Sequence, residues 1–121
     1  MEIRWVFKYL PAFIFYSNLL KRNGGVAFGP LILLKMKYKG DTSASAAGLI
    51  EHELTHARQF YRTCGLNGPR YLFARWRLAY EVEAYKVELR YAPHAVGAFA
   101  GFIANRYRLD ITESEALKLL V

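Results

Sequence analysis

The stretch LIEHELTHARQFY, residues 49–61, is the strongest constraint on how this chain can fold. At 3.6 residues per turn, His52 and His56 project from one side of a helix, one above the other, with Glu53 beside the first. Laying out residues 44–62 at about 100° each gathers Ala47, Ile50, Leu54, Ala57 and Tyr61 on an apolar face and Glu51, Thr55, Arg58 and Arg62 in a narrow polar sector. The histidines belong to neither group. They lie opposite the charged sector beside Leu49 and Phe60, where an unpaired imidazole is costly to bury. The helix is therefore covered around much of its circumference, and whatever covers it must also satisfy two imidazoles.

Histidines at this spacing can bind one metal ion, and the intervening Glu can act on a water there as general base, which is the mechanical content of H-E-x-x-H. A single cysteine, Cys64, excludes both an internal disulfide and a thiolate zinc site. Any metal must be held by His and carboxylate, and nothing points to an oxidising compartment, so the expected location is cytoplasmic. Two histidines leave zinc short of the three protein ligands of a catalytic site. The chain must supply a third.

The segment RYLFARWRLAYEVEAYKVELRY, 70–91, is the only later stretch with several candidates. CGLNGPR ends the first helix near Gly65 and turns the chain at Gly68–Pro69, so the two helices run back on each other. In helical phase Arg75, Ala79, Glu83, Lys86 and Arg90 share a polar sector, where Glu83 is expected to be solvated and paired with Lys86 and Arg90. Glu81 falls on the opposite side among Ala74, Leu78, Ala84 and Tyr85, with Arg77 and Glu88 a turn away. A carboxylate in that company needs a partner.

HELTH followed after 24 residues by EVEA resembles the gluzincin metallopeptidases, and among them minimal single-domain bacterial and phage forms of the SprT-like or DUF type. The likeness covers about residues 30–91. It implies a zincin-like fold, one zinc ion per chain, His52, His56 and Glu81 as ligands, Glu53 as general base, and Ala84 as the small residue admitting close helix packing. It also implies an edge strand around 31–38 that holds a peptide by β-addition. Many gluzincins carry Asp or Asn four residues after the ligand Glu; Tyr85 stands there in this chain, so Tyr85, Glu88 or a backbone carbonyl must orient the ligand histidine. His94, Tyr80 and Tyr91 are candidates to stabilise the transition state.

The surroundings are those of one α+β domain spanning 1–121, a small antiparallel sheet in the N-terminal third followed by about four helices. Apolar residues make up 54% and aromatics 16%, which suits a packed core. The N-terminal MEIRWVFKYLPAFIFYSNLLKR has an uncharged run of only twelve residues, Tyr9 to Leu20, too short for a transmembrane segment and poorly formed as a signal peptide. It reads as a short helix broken near Pro11, then an extended piece. KRNGG, 21–25, is a turn signal. After it Ile32, Leu34, Met36 and Tyr38 alternate with Leu33, Lys35, Lys37 and Lys39, the period of a half-buried strand whose lysines suit an edge. Asp41, Thr42 or Ser43 can cap the H-E-x-x-H helix, Val96, Phe99, Ala100 and Ile103 form a core stripe, and Thr112 with Glu115 makes a capping box.

The net charge of +7 bears on partners. The basic residues are spread out and form no nucleic-acid module, so a solvated basic surface is the plain reading, with nucleic acid or an anionic surface as alternatives. The expected function is zinc-dependent hydrolysis of a peptide or protein substrate. Its rivals are a metal-binding protein without turnover, in a binding or assembly role, and a basic nucleic-acid-associated protein.

Overall fold

The computed structural model describes residues 1–20 and 24–121; of the turn expected over 21–25, residues 21–23 lie outside the described residues and Gly25 begins a strand. Among the described residues four strands form one sheet: β1 (Glu2–Phe7), β2 (Leu10–Ser17), β3 (Gly25–Phe28) and β4 (Leu31–Lys35), in the order β1-β2-β4-β3. No helix forms around Pro11. Residues 2–17 are instead an antiparallel hairpin, in which Pro11 is the second residue of β2, opposite Trp5. The aromatic and β-branched residues on both sides of it favour the pleated backbone, and a proline at the start of a strand removes little pairing.

The sheet is mixed. Its two hairpins are antiparallel, whereas β2 and β4 at the centre run parallel, pairing Ile14 with Ile32 and Tyr16 with Leu34. That pairing brings Ala12, Ile14, Ile32 and Leu34, all fully buried, onto one face. The strand expected over 31–38 is shorter and lies elsewhere in the sheet. It stops at Lys35, since Met36–Tyr38 coils into a 3-10 turn, and it is interior, since Gly29 with φ +59° and Pro30 fold residues 25–28 back onto it. The edge strands are β1 and β3.

Five helices follow: α1 (Ala44–Arg62), α2 (Asn67–Arg70), α3 (Ala74–Leu89), α4 (Val96–Arg106) and α5 (Glu113–Leu120). The extra one is the single turn α2, inserted where a simple reversal was expected. Ser43 caps α1, its hydroxyl accepting from the Ala46 N–H at 3.1 Å, and Gly65, at φ +84°, closes the other end by donating its N–H to Phe60 O. Thr112 and Glu115 form the expected capping box on α5.

Ile50, Leu54 and Ala57 of α1 pack on the sheet with Val6, Ala12, Ile14, Ile32 and Leu34. A second core joins Tyr85 of α3 to Phe99, Ala100 and Ile103 of α4 and to Ala116 and Leu120 of α5. Thr55, expected in the solvated sector, is buried, with its hydroxyl donating to Glu51 O at 2.8 Å. Helices α1 and α3 meet closely at fully buried Ala84 and at Gly48, where a Cβ would lie 3.0 Å from Tyr91 Cβ and 3.2 Å from Glu88 Cγ. This α1–α3 seam, between the two cores, holds the polar cluster.

Candidate metal centre

Three side chains converge across the seam. Glu81 Oε1, from α3, lies 3.4 Å from His52 Nε2 and 3.3 Å from His56 Nε2, both from α1. One ligand atom from each residue lies within 4.8 Å of the others, so the set can take a metal ion. His52 is 4% exposed and Glu81 3%, yet Glu81 Oε1 has no hydrogen-bond partner. A buried carboxylate oxygen left open toward two imidazoles fits a cation, because such an oxygen is otherwise costly to hide.

The outer nitrogen of each ring faces a polar side chain, and that of His56 is hydrogen-bonded. Gln59, fully buried, donates through Nε2 to Tyr80 O at 3.0 Å and to Glu83 Oε1 at 2.8 Å, which leaves its Oε1 to accept from His56 Nδ1 at 2.8 Å. The proton of the neutral ring therefore sits on Nδ1, which leaves Nε2 toward Glu81 as the nitrogen that can ligate a metal. His52 Nδ1 lies 2.9 Å from Glu88 Oε1, a close approach off the direction of an aligned hydrogen bond. Tyr85 meets the His52 ring edge-on at 4.4 Å between centroids, and its hydroxyl lies 2.7 Å from that of Tyr107. Of the two side chains expected to orient a histidine, Glu88 is the one that approaches His52 Nδ1, while Tyr85 packs on the ring.

Glu53 points to the same centre from the sheet side, with Oε1 3.7 Å from His52 Nε2. It is buried, and burial pushes its carboxyl above the usual carboxylate range despite both imidazoles. Glu81 goes the other way: burial would raise it too, but His56 and His52 outweigh that and hold it well below that range. Room for Glu53 depends on Gly25 in β3, where a Cβ would stand 2.7 Å from Leu34 Cδ2 and 3.2 Å from Glu53 Cγ. A cleft of about 850 Å³ opens over the cluster, walled on one side by residues 24–29 and on the other by Tyr71, Phe102, Arg106 and Tyr107.

His52, Glu53, His56 and Glu81, separated by up to 29 positions in sequence, are therefore brought together. The three expected transition-state stabilisers are not, and none lines this cleft. His94 is exposed on the 3-10 turn Pro93–Ala95, Tyr91 is exposed at the end of α3, and Tyr80 is buried against Trp76 with its ring stacked at 6.1 Å. Glu83 is also placed differently. It pairs with Arg62 of α1, at 2.8 and 3.1 Å, and with Gln59. Both carboxylates of EVEA thus reach α1, because the helices lie close enough for long side chains to reach around the contact. Sequence reasoning missed Gln59 and Tyr71. The first had a signal, since it stands three residues after His56 on the same helix face; Tyr71 had none, its 2.5 Å contact with Glu81 Oε2 arising from the turn at α2.

No family model, no curated protein and no solved structure matches this chain. Among the described residues no helix is long and apolar enough to cross a membrane.

Proposed function

We propose that the protein is a zinc-dependent peptidase in which His52, His56 and Glu81 hold the ion and Glu53 is the general base. The observation that carries this reading is the pairing of an unpartnered buried carboxylate oxygen between two Nε2 atoms with a second buried carboxylate left outside that triangle. What the ion supplies when bound is polarisation of the scissile carbonyl and acidification of the attacking water. Glu53 takes the proton from that water and returns it to the leaving amine. Its raised proton affinity suits this, since a general acid–base works best with a pKa near the working pH. Gln59 keeps the proton of His56 on Nδ1, away from the centre.

The β3 edge supports a peptide as substrate. Lys35 N donates to Gly24 O at 2.8 Å, which makes that position a hydrogen-bonded pair of the antiparallel ladder. The alternation along the ladder then turns the N–H and C=O of Gly25 and Ala27 away from β4, toward the open edge. An extended peptide can pair there, directly above Glu53. Metal analysis of the purified protein, combined with a peptide-cleavage screen of wild type and Glu53→Gln, tests the proposal. About one zinc per chain and cleavage lost in the variant are expected; zinc without cleavage in wild type would leave a binding role in its place. That second reading draws support from the location of His94, Tyr80 and Tyr91 outside the cleft.

A further inference from the structure

The two oxygens of Glu81 have different surroundings. Oε1 faces the imidazoles, whereas Oε2 accepts a hydrogen bond from the Tyr71 hydroxyl at 2.5 Å. Tyr71 directly follows α2, and its N–H donates to Asn67 O at 2.9 Å. Its carbonyl accepts from Arg77 Nη1 at 2.8 Å, and the same guanidinium lies 5.9 Å from the centre of the Tyr71 ring. Arg77 is itself fixed to the far wall of the cleft, through Nε to Tyr107 O at 2.7 Å and Nη2 to Arg108 O at 3.2 Å. The phenol is thus anchored through its own main chain on one side and through α4's end on the other, with only its hydroxyl directed at the carboxylate.

We propose that Tyr71 is a positioning residue for the metal: by occupying Oε2 it presents Glu81 to the ion through Oε1 alone. This rests on the metal-binding half of the proposed function. A carboxylate can ligate through one oxygen or two, and a catalytic zinc needs a coordination position left for water or substrate. With both oxygens free, Glu81 would swing toward two-oxygen ligation and take up that position. The hydroxyl prevents this, and holds the carboxylate in the plane from which Oε1 meets both Nε2 atoms. A merely structural tyrosine would brace the α2–α3 corner through its ring and its contacts with Arg77, all of which phenylalanine retains.

Tyr71→Phe separates the two roles. The variant, folded as judged by circular dichroism, is expected to bind zinc about 10- to 100-fold more weakly in competition with a chromogenic chelator. Loaded with cobalt, it should show weaker visible d–d bands than wild type, the signature of a higher coordination number. In zinc-loaded wild type labelled with ¹³C-glutamate, infrared difference spectra against the zinc-free protein should give the wide separation of carboxylate stretches that marks one-oxygen ligation. This measurement needs no variant and so stands even if Tyr71→Phe fails to fold. A variant that matches wild type in zinc affinity and cobalt spectrum, or a narrow carboxylate separation in wild type, overturns the role of Tyr71 alone. A wild type that takes up neither metal overturns it together with the proposed function.

Discussion

Glu53 and Glu81 are buried within 4 Å of the same imidazole nitrogen, yet their proton affinities move in opposite directions. The difference is contact: Glu81 Oε1 sits between two rings, while Glu53 approaches one ring at 3.7 Å and lies against the apolar floor of β3. One carboxylate is suited to stay ionised and hold a cation, the other to exchange a proton. Glu53→Gln should accordingly keep the fold and the zinc while peptide hydrolysis falls about 10²- to 10⁴-fold, checked by metal content and kcat together. An active variant would remove Glu53 from the mechanism and leave the metal site standing. His52→Ala or His56→Ala should each lose most of the zinc and the gain in Tm that zinc gives wild type, because ligation stabilises only the folded state. Full zinc occupancy in either would end the case for the site. These four residues could be named from the sequence because the H-E-x-x-H motif and helix periodicity gave their directions and the resemblance of EVEA to gluzincins also selected Glu81. Gln59 and Tyr71 were not, since what they touch is decided by how α2 and α3 dock.

At the scale of elements, the crossing of α1 and α3 carries a polar chain from the centre to the surface: His56, Gln59, Glu83, Arg62. Its buried link is Gln59, and its outer link is a pair whose side chains are 52% and 38% exposed. Removing the buried amide leaves His56 Nδ1 without its partner and takes the second donor from Tyr80 O, so Gln59→Ala should destabilise the metal-free protein by about 1–3 kcal/mol in denaturant unfolding. Glu83→Gln should cost less than about 1 kcal/mol and leave zinc bound, because solvent screens an exposed pair and the amide still accepts from Gln59. Glu81→Gln, by contrast, should weaken zinc retention; the reverse pattern would mean that α3 is out of the phase that places Glu81 at the centre. Helix phase put Glu81 on the side of the imidazoles, but it assigned Glu83 to Lys86 and Arg90 where the structure pairs it with Arg62 and Gln59, because phase describes one helix and says nothing of how near its neighbour comes. The sheet has the same lesson. Alternation placed a strand over about 31–38, of which 31–35 is one, whereas the identity of the edge depended on the Gly29–Pro30 reversal that lays β3 outside it.

For the whole molecule, the consequence is that its two cores meet at a cluster that either a metal or a proton can hold together. The sheet with α1 forms one core, α3 to α5 the other, and His52 with Glu81 and Glu88 spans the seam. Without metal, burial works against a charged His52, but Glu81 and Glu88 outweigh it and raise its pKa from the ordinary 6.5 to about 10. A histidine whose pKa is raised on folding contributes stability that is fully present below its unfolded value and is lost as pH rises through its folded one. The chelator-treated protein should therefore lose stability steadily between pH 6.5 and about 10. Zinc takes neutral imidazole, so in the loaded protein the ion replaces the proton and that loss should be absent. Binding also displaces the proton, so zinc uptake in this range should release acid into a weakly buffered solution. Thermal melts at pH 6, 7.5 and 9, with zinc and with chelator, measure the comparison directly. The two series should diverge as pH rises, the zinc-dependent gain in Tm being largest at pH 9. Curves that stay parallel would mean that His52 carries no proton in the metal-free fold.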